Sequence, residues 1–376
     1  MTTTLDSLAT SERSDQLGSP PGGAGSAPGR RPWQFEPDLV RFIGLLMVVV
    51  IHCAPWPQTA GLYATLGLLS RPSVPLFVIL SGLLLAPGLP ERARTRPFWY
   101  RRLSRTLAPW LLWALVYFGL DVAFEAMPPG WSQSWGWWAG GAGHLYFLLL
   151  IPQLYLLLLV WPRTRRAQLM LTLAALALQT TLQLMRTLLP IHGGLWHLVV
   201  LDFGFEEAPF WVGYFALGLL LGCALPRLLR ARGPLVAYAA ALVGAAALLL
   251  ADPLNAAAVH GGPWLQGTGA FLRPTLPLLT VAVFLASFRV AAWLLPLRRV
   301  VESVSRHALG IYIIHPAILM AVGPLLQVAP GPLSLEQRLP GSLVPFGVLL
   351  LACLGGGWAA TRLIATWRPA SWAVGE

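Results

Sequence analysis

Apolar segments recur along this chain from residue 39 to residue 367, and they constrain its fold more than any other feature. Each holds about 17 to 25 residues, enough for an α-helix to cross the hydrocarbon core of a bilayer. Hydrophobic residues make up 56% of the sequence and charged residues only 11%, whereas charged residues are about 25% of a typical soluble domain. The sequence therefore predicts an all-α integral membrane protein, a bundle of about ten transmembrane helices. The predicted spans lie near 39–55, 73–87, 106–124, 144–161, 167–185, 208–225, 235–251, 270–288, 307–323 and 343–361.

All 26 basic residues are arginine, and their number alternates from loop to loop. The N-terminal tail, every second loop and the C-terminus together hold 21 of them, the opposite loops hold four, and Arg41 lies at a span boundary. Because cytoplasmic loops are enriched in basic residues, both termini are predicted to lie in the cytoplasm and the protein in the inner (cytoplasmic) cell membrane. This asymmetry accounts for the net charge of +11, so no nucleic-acid partner is expected.

The predicted organisation is one membrane domain with short flanking segments. Residues 1–36 are rich in Gly, Pro and Ser, which predicts a disordered cytoplasmic tail. The transmembrane domain then covers 37–367, and 368–376 form a short cytoplasmic tail. The half-apolar stretch 187–204 leaves two interpretations open. An eleventh span there would place the arginine-rich loop 226–233 outside, so an extracytoplasmic loop or re-entrant segment is preferred.

Arg41 and His52 are ionisable residues eleven positions apart in the first span. Eleven residues are about three helical turns, so both lie on nearly the same face, separated by roughly 16 Å along the axis. Ionisable side chains inside a membrane usually face the bundle interior and mark functional sites. A snorkelling arginine and a histidine that bonds two helices together would give the same spacing.

Three further segments carry chemically interesting residues, and each also has a structural interpretation. Ser81-Gly82 lies deep in the second span, where small residues often mediate helix contacts. Arg102 and Arg105 form an Arg-x-x-Arg pair on the cytoplasmic side, where arginines also follow the positive-inside rule. In the ninth span Tyr312 and His315 share a face, and Pro316 deprives the Tyr312 carbonyl of its helical donor. That proline also fits a simple helix kink.

Taken in order, these segments resemble the acyltransferase-3 family of membrane-bound O-acyltransferases over about residues 35–367. The segments that carry the resemblance are DLVRFIGLLMVVVIH, VPLFVILSG, FWYRRLSRTLAPW, HLYFLL, YFALGLLLG and ALGIYIIHP. The resemblance implies a ten-helix protein that moves an acyl group, commonly acetyl from acetyl-CoA, onto a cell-envelope carbohydrate or glycolipid. Many relatives carry an additional extracytoplasmic hydrolase-like domain. None is expected here, which leaves the acceptor open.

The family's Arg-x10-His motif maps onto Arg41 and His52, and its Arg-x-x-Arg motif maps onto Arg102 and Arg105. Acyl transfer to a hydroxyl needs a base, and His52 is the expected one because histidine titrates near neutral pH. His315 is the expected partner or oxyanion donor. Arg102 and Arg105 are expected to bind the phosphates of acyl-CoA through charge-assisted hydrogen bonds. Arg41 is expected to orient the donor or His52.

Supporting roles and other classes of function stay open at this stage. Tyr312, Ser81 and Arg101 are possible helpers, and His144 suits either acceptor guidance or interfacial anchoring. The three cysteines lie in apolar segments without motif spacing, so neither a disulfide nor a metal site is expected. A transporter or flippase of an envelope precursor would also use buried arginine and histidine. A purely structural membrane protein would need no base.

Overall fold

The computed structural model of the chain describes residues 35–54, 61–87, 89, 93, 95–123, 143–188, 207–222, 233–253, 255–256, 269–327 and 343–375. All regular elements in these ranges are helices. The α-helices are α1 (Phe35–Cys53), α2 (Gly61–Leu69), α3 (Ser73–Leu85), α4 (Arg96–Ala123), α5 (Tyr146–Tyr155), α6 (Leu157–Val160), α7 (Arg165–Leu188), α8 (Val212–Gly222), α9 (Leu235–Ala251), α10 (Leu276–Val290), α11 (Arg298–Arg306), α12 (Ala308–Gln327), α13 (Val344–Leu351) and α14 (Gly357–Thr366). Short 3-10 helices cover Gly143–Leu145, Ala208–Phe210, Gly269–Leu272, Ala291–Leu297 and Arg368–Val374, and Ala352–Gly356 forms a π-helix between α13 and α14.

Helical structure is present at every predicted span. Within the described ranges, six helical stretches are long and apolar enough to cross a membrane. They are Gly61–Leu85, Arg96–Leu120, Gly143–Val160, Arg165–Arg186, Leu276–Arg306 and Val344–Thr366, with three shorter apolar helices at Val212–Gly222, Leu235–Ala251 and Ala308–Gly323. The all-helical membrane class is thus confirmed. The count of about ten spans and the cytoplasmic position of both termini stay predictions. Of the stretch 187–204, only the last two residues of α7 fall within the described part.

Helix α1 occupies a central position in the bundle, where it packs against α3, α10, α11 and α12. Its apolar residues Leu39, Leu45 and Val49 are fully buried. An apolar helix buried on several sides has no preferred lipid face, so its polar residues also turn toward neighbouring helices. His52, near the end of α1, is therefore presented to α12 rather than to lipid.

Helices α3 and α8 approach each other backbone to backbone. A methyl group added at Gly82 would collide with the Phe215 carbonyl oxygen, and one added at Gly218 would collide with the Ile79 carbonyl oxygen. Small residues permit such close helix contacts in membranes. Gly82 of the Ser81-Gly82 segment therefore mediates a helix contact, which was its structural interpretation.

The segment predicted as a C-terminal tail packs against the bundle up to residue 374. Ala373 and Val374 are buried, and the Trp113 indole of α4 donates a hydrogen bond of 2.8 Å to the Ala373 carbonyl. This 3-10 helix therefore closes the end of the bundle next to α4 and α14.

Candidate active site

Three helical segments that are distant in sequence bring three histidines together, here called the histidine cluster: His52 of α1, His144 of the 3-10 helix that precedes α5, and His315 of α12. The ring centres of His52 and His315 are 5.0 Å apart. The His144 ring lies 6.3 Å from His52 and 5.8 Å from His315. His315 is fully buried, whereas His52 and His144 are half-buried. One molecule can therefore contact two of these rings from the exposed side.

Pro316 shapes the side of the cluster that α12 provides. A proline has no N–H, so the carbonyl four residues earlier, that of Tyr312, loses its helical donor. The Nδ1 atom of His315 lies 2.8 Å from this carbonyl oxygen and 3.2 Å from that of Ile311. This confirms the prediction that Pro316 leaves the Tyr312 carbonyl without a helical donor beside His315. The His315 ring takes the place of that donor.

Two aromatic side chains join the cluster to the same turn of α12. The Tyr117 hydroxyl of α4 donates to the Ile313 carbonyl at 2.7 Å, and His144 Nε2 lies 3.3 Å from the same oxygen. The Tyr312 hydroxyl donates to the His144 carbonyl. The rings of Tyr117 and His144 meet edge to face at 4.9 Å. Side chains from α4 and α5 are therefore fixed against backbone groups of α12, which gives the cluster a defined geometry.

Arg41 lies at the opposite end of α1 from His52, about 16 Å away along the axis. Its guanidinium contacts Asp38 Oδ1 at 2.9 Å and the Ser305 hydroxyl at 3.1 Å. Ser305 also donates to Asp38 at 2.8 Å, so the three side chains tie α1 to α11. Asp38 and Arg41 are three residues apart on α1, a spacing that brings such side chains together on one helix face. This geometry supports a role for Arg41 in placing α1, which would affect His52 only through the helix.

A pocket of about 400 Å³ lies at the start of α4 and is called the arginine pocket. Its lining consists of Leu84, Leu85, Thr95, Phe98, Arg101, Arg102 and Arg105. All three guanidinium side chains are exposed. Arg102 lies over the Phe98 ring at 5.7 Å and interacts with the Tyr155 hydroxyl. The Arg-x-x-Arg pair thus shares one concave surface, which offers both planar cations and an apolar floor.

Two buried cysteines lie beside the histidine cluster. Cys53 and Cys353 are free thiols with sulfur atoms 4.0 Å apart, and the Cys353 thiol lies 3.6 Å from the His315 carbonyl oxygen. This separation is about twice a disulfide bond length. Cys223 lies outside the described ranges. No group of three or more His, Cys, Asp or Glu side chains in the described ranges has the geometry of a metal site.

Neither Tyr117 nor Arg71 was given a role from the sequence alone. Tyr117 gave no sequence signal. Arg71 is one of the four arginines of the sparsely charged loops, yet it is buried and lies 4.6 Å above the Phe271 ring. Its position on the side with few arginines was the available signal. For His144 the sequence left acceptor guidance and interfacial anchoring open, and the structure brings its ring into the histidine cluster.

No curated protein and no solved structure matches this chain at a significant level. A family model described as an acyltransferase domain matches residues 35–362, which is most of the chain and includes every residue of the histidine cluster and the arginine pocket. The match extends across helices α1 to α13 and most of α14. The chain therefore belongs to the acyltransferase-3 family.

Proposed function

We propose that this protein is a membrane-embedded acyltransferase that moves an acyl group, most simply acetyl, from cytoplasmic acyl-CoA to a hydroxyl of a cell-envelope carbohydrate or glycolipid. Family membership indicates acyltransferase activity. The acyl group and the acceptor follow from the family resemblance, and the chemistry of the two sites supports the donor and the transfer step. The observation that carries the proposal is the 5.0 Å approach of His52 and His315 inside a helical bundle that also has an arginine-lined pocket.

The arginine pocket suits the donor. Coenzyme A carries several phosphate charges, and guanidinium groups bind phosphate oxygens through paired, charge-assisted hydrogen bonds. Arg102 and Arg105 are three residues apart on α4 and so point to one side of the helix. Arg101 and Thr95 add further donors to the same lining. The pantetheine arm of the bound donor would then carry the thioester into the bundle, toward the histidine cluster.

The histidine cluster suits the transfer step. In this mechanism the acceptor hydroxyl oxygen attacks the thioester carbonyl carbon while His52 takes the hydroxyl proton. The C–S bond then breaks, and the coenzyme A sulfur receives the proton from the His52 imidazolium. The products are the acyl ester and free coenzyme A, and His52 is restored. General-base catalysis of this kind contributes about 10²- to 10⁴-fold to a rate.

The half-buried ring of His144 suits the acceptor side. It lies at the start of α5, the end that the arginine distribution predicts to be extracytoplasmic. Both His144 and His52 are more accessible than His315. A hydroxyl that enters from outside would therefore meet His144 and His52 first, while His315 supports His52 from within the bundle.

The proposal is tested with purified protein in liposomes, incubated with acetyl-CoA labelled in the acetyl group. Label should appear in an acceptor whose acylated form mass spectrometry detects in the envelope glycans or glycolipids of wild-type cells and not in cells that lack the gene. Heat-treated protein is the control. Net movement of an unmodified precursor across the liposome membrane, with no acyl product, would instead establish a transporter or flippase.

A further inference from the structure

The Pro316 turn of α12 is braced by Tyr117 of α4, which contacts backbone groups on both sides of the proline. The Tyr117 hydroxyl donates to the Ile313 carbonyl at 2.7 Å and accepts the Ala317 N–H at 3.2 Å. A carbonyl and an N–H four residues apart are the hydrogen-bonding pair of a regular α-helix. The phenol oxygen therefore bridges the two backbone groups that flank the proline.

The hydrogen bonds of His315 fix which of its nitrogens carries the proton. Backbone carbonyls only accept hydrogen bonds, so Nδ1, which contacts the carbonyls of Tyr312 and Ile311, must be the protonated nitrogen of the neutral ring. The lone pair then resides on Nε2. That atom is buried and makes no hydrogen bond to any part of the chain that the structure describes. A buried acceptor without a partner costs free energy unless a ligand satisfies it.

These two observations connect through the Tyr312 carbonyl. It is available to His315 only while the turn keeps its present shape. Pro316 begins that shape, and the Tyr117 hydroxyl maintains it between the Ile313 carbonyl and the Ala317 N–H. Without the hydroxyl, the Ile313 carbonyl and the Ala317 N–H would close on each other and tighten the turn. The hydrogen bond from the His315 Nδ1–H to the Tyr312 carbonyl would then weaken, and the imidazole ring could rotate or change tautomer.

We propose that Tyr117 is a positioning residue for His315. Its hydroxyl keeps the Pro316 turn open, so the Tyr312 carbonyl holds the Nδ1–H of His315 and the Nε2 lone pair faces the bound acceptor and His52. The catalytic consequence rests on the proposed function, whereas the tautomer of His315 does not. The chemical group that Nε2 accepts from is a hydroxyl or an imidazole N–H.

The first test is Tyr117→Phe, which keeps the ring and removes only the hydroxyl. Turnover should fall about tenfold while the KM for the donor changes by less than about twofold, because the donor phosphates bind elsewhere. Trp113→Phe is the matched control. It lies on the same helix and also loses one hydrogen bond to a backbone carbonyl, that of Ala373, and it should keep wild-type turnover. Equal turnover in Tyr117→Phe and Trp113→Phe would overturn the proposal.

The second test pairs this variant with Pro316→Ala, which restores the missing N–H so that it can donate to Tyr312. Turnover should fall in Pro316→Ala by itself, since the backbone then competes with His315 for the carbonyl. Adding Tyr117→Phe should cost less than about twofold more, because residues that act through one feature are not additive. Fully multiplicative losses in the double variant would show that Tyr117 acts by another route.

The third test does not depend on activity. Nitrogen-15 chemical shifts of labelled histidine distinguish the two neutral tautomers, and His315→Gln identifies the His315 signals by their loss. The wild type should show the Nδ1–H form, and Tyr117→Phe should show a mixture with the Nε2–H form. An unchanged tautomer in Tyr117→Phe would overturn the proposal. A wild type with the Nδ1–H form but no acyl transfer would instead remove the proposed function and leave this assignment in place.

Discussion

The arginine pocket and the histidine cluster differ in how the chain holds their side chains. Arg101, Arg102 and Arg105 come from a single helix and are exposed. Arg102 lies over the Phe98 ring, and Arg101 donates to the Pro97 carbonyl of its own helix. The histidines come from three helical segments, and two of them contact backbone carbonyls of α12. A pocket of exposed cations suits a long, charged ligand that has to enter and leave. A cluster fixed by backbone groups suits a reaction that needs atoms held in one place.

Replacement of His52, the proposed base, should have the largest effect on turnover. It should impair the histidine cluster and leave the arginine pocket intact. His52→Gln keeps the size and some hydrogen bonding of the side chain but removes the titrating nitrogen. Turnover should fall by about 100-fold or more while donor binding is retained. Acyl transfer is measured with labelled acyl-CoA, and donor binding by calorimetry on the same preparation. His307→Gln, at the edge of the bundle, is the control and should keep its activity.

Near-normal acyl transfer by His52→Gln would return this histidine to a role in helix packing. The role of the base in the histidine cluster would then have to be assigned to His315.

Removal of an arginine that is proposed to bind phosphate should have the next largest effect. Only the affinity for the donor should change. Arg102→Ala and Arg105→Ala should each weaken acyl-CoA binding by about 1.5 to 3 kcal/mol. Lysine at either position should rescue binding only partly, since it lacks the planar fork of arginine. The measurement is the Kd for coenzyme A. Arg299→Ala, an exposed arginine on α11, is the matched control for loss of one charge.

Unchanged coenzyme A affinity in both alanine variants would leave Arg102 and Arg105 as topology signals only. The pocket would then need a different ligand.

A smaller effect is expected on the acceptor side of the cluster. His144→Gln should raise the acceptor KM by about tenfold, a loss of about 1.4 kcal/mol, and leave the donor KM unchanged. Glutamine retains a donor for the Ile313 carbonyl, so the contact with α12 persists. The measurement is steady-state kinetics with each substrate varied in turn. A rise in the donor KM instead would place His144 on the donor path.

The sidedness of the two regions can be tested without any expected change in activity. In a variant that lacks native cysteines, a thiol at Thr95 in the arginine pocket should resist an impermeant reagent in intact cells. A thiol at Leu343, at the start of α13 and 51% exposed, should react. Reaction at Thr95 would place the pocket outside and contradict the predicted orientation.

Local sequence patterns predicted the parts of the site that depend on one helix. Helical periodicity predicted that Arg41 and His52 lie on nearly the same face of α1. The missing N–H of Pro316 predicted a carbonyl without a helical donor beside His315. The parts that depend on tertiary contacts were not predictable. Tyr117 lies almost 200 residues from Ile313 in sequence, and no local period records that pairing. Most predicted spans end within a few residues of a helix end because hydrophobic length sets them. However, α4 begins ten residues before the predicted span, and α2 and α11 lie where the sequence predicted loops.

The close approach of α3 and α8 limits how the wall of the arginine pocket can change. Helix α3 carries Leu84 and Leu85 on one wall of the arginine pocket, and its backbone touches that of α8 through Gly82 and Gly218. Any side chain added at those glycines would force the helices apart, so this wall cannot shift gradually by substitution there. A pocket of different shape would therefore have to be obtained on the α4 side, at Thr95 and Phe98.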